Sequence, residues 1–252
     1  MLRQRYLDLH LYNNMGRAFE FRKARKMKRW SNMSKTFTRI GREIIIAVKE
    51  SGPDPSSNSR LRAIIQNAKA ANMPKDNIER AIKKASEKSS ENFKEVLLEG
   101  YAPHGIAILV EAATDNNNRT VANIRSYFNK CDGSLATSGS VDFLFDHLCF
   151  FQIKDQGIDI EELELDLIDF GVIELSKLEN EISITARFED FGSIQKELER
   201  RGLEISSSEF EREAKINKTL TEDERLKVER LINMIDEDED VQNVYHDMKT
   251  ID

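Results

Sequence analysis

The spacing of the apolar residues changes near residue 90, and this divides the chain into two kinds of structure. From Gly16 to about Ser90 they recur at helical intervals. Phe37, Ile40, Ile44, Ile45 and Val48 form one stripe along a helix. Gly52-Pro53-Asp54-Pro55 ends it, and Asn58 offers a cap for a second helix with Leu61, Ile64, Ile65 and Ala68 inward. Asn72 suits a left-handed stop, and Pro74 suits the first turn of a third helix carrying Ile78, Ala81, Ile82 and Ala85. Ser86–Glu91 then reads as a polar linker.

After Phe93 short extended runs alternate with helical ones. Val96–Tyr101 and Ile106–Ala113 read as a hairpin about Ala102-Pro103-His104-Gly105, followed by a helix over 118–130 and an extended run over 141–145. From Cys149 to about Ser208 the order is strand, helix (160–170), strand (172–175), strand (182–188), helix (193–201), strand (203–207). This βαββαβ order is the ferredoxin-like split motif. The tail adds a strand near 210–216, a helix over 221–235 and a strand over 241–245, which together lack a core and are expected to rejoin the segment before the insertion. The expected class is α+β: a basic helical domain (16–90), a discontinuous α/β sandwich (91–146 with 209–252), and a ferredoxin-like α/β domain (147–208) inserted into it.

Charge divides at the same place. Residues 1–90 hold 21 Lys and Arg against 8 Asp and Glu, a charge of +13; residues 91–252 hold 17 against 37, or −20. The net charge of −7 conceals this split, which points to a polyanion-facing module on a body with another task. The longest apolar run, Ile44–Val48, is far short of the roughly 20 residues of a membrane span. Cys131 and Cys149 give no disulfide framework, so a reduced cytoplasmic protein without membrane attachment is expected. Residues 1–14 resemble an upstream extension, with Met15 as an alternative start.

Motifs for catalysis and cofactors are missing. The sequence has no phosphate-binding glycine loop, no dinucleotide fingerprint and no H-E-x-x-H. Gly133–Gly139 reads as a strand-connecting loop, and Ser193 with Lys196 matches a bare S-x-x-K without the rest of that constellation. Asp236-Glu237-Asp238-Glu239-Asp240 lacks the alternation and central Gly of a calcium loop and is expected to be a solvated turn. His104, His147 and His246 stand apart, with surface or turn roles. The expectation is a non-enzyme with no cofactor and no metal.

The basic module carries the functional signal. Between Arg17 and Lys49 stand eleven basic residues against Glu20 and Glu43, interleaved with Phe19, Phe21, Trp30 and Phe37. Such a composition suits phosphate backbones, with aromatic rings available to bases. The nucleic-acid-binding candidates are Arg17, Arg22, Lys23, Arg25, Lys26, Lys28, Arg29, Lys35, Arg39, Arg42, Lys69, Lys75, Arg80, Lys83 and Lys84. Lys35, Arg39 and Arg42 step by four and three along one helical ridge. In this reading the acidic body stays clear of the polyanion and orients the basic end toward it.

Several stretches together resemble one family. They are Phe37-Thr38-Arg39-Ile40, Asp54-Pro55 before Asn58-Ser59-Arg60-Leu61-Arg62, Ala70-Ala71-Asn72-Met73-Pro74-Lys75-Asp76-Asn77-Ile78-Glu79-Arg80-Ala81-Ile82, Glu99–Pro103, Thr114-Asp115-Asn116, Asn118–Val121, Gly139-Ser140-Val141 and Asp240–Tyr245. From about Gly16 to His246 the chain is similar to the YebC/PmpR family. Its usual opening, G-H-S-K-W-x-x-I-K, is replaced by Gly16-Arg17-Ala18-Phe19-Glu20-Phe21-Arg22-Lys23, which keeps the charge without the His and the early Trp.

The resemblance implies three domains, an N-terminal helical bundle and two α/β domains, and a role in regulating gene expression. Family members are described as DNA-binding transcriptional regulators; mitochondrial relatives act as translational activators, and bacterial ones are linked to ribosome stalling. The leading expectation is a DNA-binding transcriptional regulator. The alternatives are a translation factor on structured RNA or the ribosome, and a scaffold whose acidic domains dock an unidentified protein.

Overall fold

The computed structural model describes residues 33–87, 92–178 and 180–249. Among the described residues three helices come first: α1 (Met33–Ser51), α2 (Ser59–Ala70) and α3 (Lys75–Ser86). Their apolar stripes meet in one core of Ile40, Ile44, Ile45, Val48, Leu61, Ile64, Ala68, Met73 and Ile78, with Phe37 and Ile82 against its edge. Asn58 secures the first corner twice over. Its Oδ1 caps α2 by accepting from the Leu61 N–H at 2.9 Å, while its Nδ2 donates to the carbonyls of Ala47 and Gly52 at 2.8 and 2.9 Å. Asn72 adopts φ +58°, the left-handed stop expected after α2.

A hairpin follows, β1 (Lys94–Tyr101) and β2 (Ala107–Thr114), then α4 (Asn117–Lys130) and the two-residue β3 (Ser134–Leu135). Next come β4 (Phe145–Lys154), α5 (Ile160–Leu167), β5 (Val172–Leu178), β6 (Glu181–Arg187), α6 (Phe191–Arg200) and β7 (Ile205–Ala214). The chain closes with α7 (Glu222–Asp236) and β8 (Val241–His246). The described residues form two four-stranded antiparallel sheets, ordered β3-β1-β2-β8 and β5-β6-β4-β7. The class is mixed α+β, as the change of period requires. The order of the second sheet, with β4 and β6 central, is that of a ferredoxin-like βαββαβ unit.

Each sheet buries one face under two helices. In the first, Ile106, Ile108, Val110 and Val241 meet Ile124 and Phe128 of α4 and Val228, Leu231 and Ile235 of α7. In the second, Phe151, Ile153, Ile182 and Ile184 meet Leu163 and Leu167 of α5 and Ile194 and Leu198 of α6. No helix among the described residues is long and apolar enough to cross a membrane.

Two local expectations are corrected. Residues 142–144 form a short 3-10 turn, and the strand starts at Phe145. The buried Glu99 carboxylate explains this by accepting the N–H groups of Gly139, Val141 and Asp142 at 2.6, 2.6 and 2.9 Å, which diverts them from a ladder. Burial pushes the Glu99 carboxyl up, but these donors, with the Ser140 N–H, outweigh it and hold the group below its ordinary value.

The second correction concerns the runs at 203–207 and 210–216, which are not separate strands. They are one strand, β7, paired along β4 from Phe145–Ala214 to Ile153–Ile205. Ser208-Glu209 supplies no turn residue to break it. The tail therefore contributes only β8 to the first sheet.

Gly100 and Gly41 make opposite predictions. A methyl group on Gly100 would lie 2.6 Å from the Phe128 ring and 2.7 Å from the Ser134 carbonyl oxygen. Gly100→Ala should destabilise by about 1–3 kcal/mol through overpacking. At Gly41, inside α1, nothing lies within 4 Å of the added carbon, and Gly41→Ala should stabilise by about 0.5–1 kcal/mol. Urea midpoints at constant m-value would read both.

Candidate nucleic-acid interface

The exposed cations cluster on the last two bundle helices. Ile78, Ile82 and Ala85 turn α3 inward, so the spacing leaves Lys75, Arg80, Lys83 and Lys84 outside, with Lys69 exposed near the end of α2. They are interleaved with Asp76 and Glu79. Lys75 pairs with Glu79 at 3.5 Å, and the Arg80 guanidinium donates to the Asp76 carbonyl and to Asn77 Oδ1.

Lys35, Arg39 and Arg42 share one ridge of α1, as their spacing predicts, but the ridge does not face solvent. It meets the turn between α7 and β8, the run 236–240. Lys35 Nζ donates to the Asp236 carbonyl and lies 3.5 Å from its carboxylate. Arg39 donates through Nε to the Val241 carbonyl at 3.0 Å and through Nη2 to the Asp236 carbonyl and carboxylate at 3.0 and 2.9 Å. Arg42 donates to the Glu239 carbonyl and lies 3.3 Å from the Asp240 carboxylate. Arg39 is buried, with 7% of its surface exposed.

This corrects two expectations. The acidic body does not stay clear of the basic module, because its densest run of carboxylates docks on the module's ridge. Nor is that run a wholly solvated turn, since Asp238 and Asp240 are buried. Asp238 accepts from Asn123 Nδ2 at 3.1 Å and the Tyr127 hydroxyl at 3.0 Å. Asp240 accepts from Arg119 at 2.8 Å and the Thr120 hydroxyl at 2.7 Å. A buried carboxylate persists only with such partners.

Burial pushes the pKa values of Asp236 and Asp240 up, but their partners pull them down by more. Arg39 and then Lys35 hold Asp236 below the ordinary aspartate value. Arg119 and Thr120, with the charge of Arg42, do the same for Asp240.

Helix α2 makes a second junction. Arg62 pairs with Glu199 at 2.8 Å, and the Asn67 side chain pairs with Ser208 of edge strand β7 as another strand would. Its Nδ2 donates to the Ser208 carbonyl at 2.5 Å and its Oδ1 accepts the Ser208 N–H at 3.1 Å, closing part of an open edge. Arg60 bridges Glu50 of α1 and Glu95 of β1. Neither Asn67 nor the partners of the ridge were identified from sequence, because their signal is a contact across more than a hundred residues. Arg17, Arg22, Lys23, Arg25, Lys26, Lys28 and Arg29, with Trp30, lie outside the described residues.

The arrangement defines a class: a cationic helical headpiece held by complementary charge on two antiparallel α/β units. Residues 17–88 match the TACO1/YebC protein N-terminal domain, and residues 93–248 match the TACO1/YebC second and third domain. The chain belongs to the TACO1/YebC family, in agreement with the resemblance carried by its motifs. It is 68% identical over 235 residues to a protein of Flavobacterium johnsoniae named "Probable transcriptional regulatory protein", spanning 93% of this chain and 99% of that one. A protein of Porphyromonas gingivalis with the same name is 58% identical, over 93% of this chain and 98% of that one. The crystal structure of a conserved hypothetical protein from Aquifex aeolicus superposes with a TM-score of 0.70 at 37% identity, covering 86% of this chain and 90% of that chain. These names point to a regulatory protein rather than an enzyme.

Asp240→Asn should cost about 1–3 kcal/mol, since it weakens charge-assisted bonds in a buried position. Both aspartates have depressed pKa values, so their contribution is complete above the ordinary carboxylate value, about 4, and is lost as pH falls through the lowered values. The stability gap between the native chain and an Asp236→Asn/Asp240→Asn variant, read by thermal unfolding, should close as pH drops below about 4.

Proposed function

We propose that this chain regulates gene expression by binding nucleic acid through its helical headpiece, with DNA in a transcriptional complex as the first target. The observation that carries the reading is the exposed group Lys69, Lys75, Arg80, Lys83 and Lys84 on α2 and α3. It belongs to the same basic segment, residues 1–90, as the stretch 17–35, in a chain whose remaining residues are strongly acidic. Lysines on a helix surface act on phosphates as point charges that release counterions, which gives affinity without reading bases. The names of the relatives support a regulatory role in transcription.

One observation favours structured RNA as a second target. Arg80, the one arginine in this exposed group, is engaged with Asp76 and Asn77 on its own helix. The rest of the group is lysine, which suits phosphate and shape recognition, and these serve a folded RNA equally well.

Replacing Lys69, Lys75, Lys83 and Lys84 by Gln should weaken binding of duplex DNA and structured RNA by ~10-fold or more at low salt. It should also flatten the log-affinity against log-salt line by up to about three units, as the loss of several phosphate contacts requires. Fluorescence anisotropy over a salt series measures both. If the native chain binds neither polymer at low salt, the reading fails and the protein-scaffold alternative takes its place.

A further inference from the structure

We infer that the cleft beside α1 is a groove for a phosphodiester chain, and that the acidic turn 236–240 is its resident intramolecular competitor. The inference rests on the nucleic-acid reading above and adds where a polyanion docks and what it must displace.

The first observation is the chemistry of the contact. Lys35, Arg39 and Arg42 meet oxygen acceptors: the carboxylates of Asp236 and Asp240 and the carbonyls of Asp236, Glu239 and Val241. A turn that presents closely spaced anionic and carbonyl oxygens to a cationic ridge offers what a run of phosphates would offer. The fit is therefore to a polyanion, and the turn supplies a short one from within the chain.

The second observation is access. Next to the contact lies a cleft of about 770 Å³, lined by Arg42 of α1, Lys84 of α3 and Arg119 of α4 together with the acidic turn itself and Asp115, which pairs with Arg119 at 2.9 Å. Lys84 is exposed and the Arg119 side chain is 46% exposed, so two cations stand at the mouth. Phe37, Phe93 and Tyr127 add ring faces, and the Arg42 guanidinium lies 5.0 Å from the centre of the Phe93 ring. Cations with aromatic faces are the composition of single-strand nucleic-acid grooves.

The third observation is the uneven hold on the turn. Asp238 and Asp240 fix its shape from the α4 side, and the Asp240 N–H donates to Asp238 Oδ1 at 3.0 Å. On the α1 side the Arg39 side chain is buried, but its partner Asp236 remains 45% exposed, and Glu237 and Glu239 are exposed. A contact whose carboxylates stay hydrated is open to salt and to competing anions. A phosphate chain entering past Lys84 and Arg119 can exchange with these carboxylates, acceptor for acceptor, while the turn keeps its own fold. The closed contact lowers apparent affinity by the fraction of molecules in which it is made.

The full chain and two variants of equal charge test this. One is Asp236→Asn/Glu237→Gln/Glu239→Gln in the turn. The other is Glu161→Gln/Glu162→Gln/Asp169→Asn, at exposed positions on and beside α5. Fluorescent single-stranded RNA, single-stranded DNA and duplex DNA of equal length are the probes. The turn variant should bind ~10-fold more tightly than the native chain, the control less than about twofold, and Arg39→Gln added to the turn variant should abolish the gain. Hydrogen exchange on the native chain should show the amides of 236–241 exchanging faster when the oligonucleotide binds, a readout that requires no variant to fold.

Equal gains in the turn and control variants, or slower exchange at 236–241, would overturn the competitor. An unchanged turn variant, with binding still lost on replacing Lys69, Lys75, Lys83 and Lys84, would overturn it and leave the nucleic-acid reading standing. Absence of binding by every form at low salt would remove both.

Discussion

The architecture turns on one electrostatic contact, between the densest run of carboxylates and the most basic ridge among the described residues. A helix that carries Lys35, Arg39 and Arg42 on one ridge cannot stay apart from five consecutive carboxylates in the same molecule unless geometry forbids the approach. Geometry permits it here. The bundle core takes the Ile stripe of α1 and leaves the ridge outward, and the α7–β8 connection brings Asp236–Asp240 to it. Because Arg39 and Asp240 are both buried, each needs its partners, and the headpiece orientation follows from that mutual need.

The remaining junctions share this character. Arg62 with Glu199, Arg60 with Glu50 and Glu95, and Arg212 with Glu111 and Asp142 join the parts. Apolar burial also crosses the junctions, where Leu109 and Tyr245 pack with Phe145 of β4 and Ala63 of α2 enters the core of the second sheet, but these contacts are rich in charge and hydrogen bonds. Such contacts respond to ionic strength and to competing anions far more than cores do. A protein assembled in this way can hold its parts in register and still exchange an internal anion for an external one.

Much of the fold was legible because local patterns were consistent. The apolar stripe, Asn58 as a cap, Asn72 as a left-handed stop and the βαββαβ order all act over a few residues, and all appear in the structure. The breaks at 141–145 and 203–216 were misread for a physical reason. A buried Glu99 forty residues away sets the first, and pairing along β4 sets the second. Of the candidate site, α3 was legible because helical spacing alone exposes Lys75, Arg80, Lys83 and Lys84. The placement of the α1 ridge was not, because charge spacing says which side chains align but not what they meet.

By itself the sequence determined the class, the three helices of the headpiece and the segregation of charge, since each follows from short-range periodicity or composition, while the family came from the resemblance of its motifs. Tertiary structure alone decided that the most basic ridge among the described residues lies against the most acidic turn. That pairing joins residues about two hundred positions apart, and only the packing of complete cores brings such groups within hydrogen-bond distance.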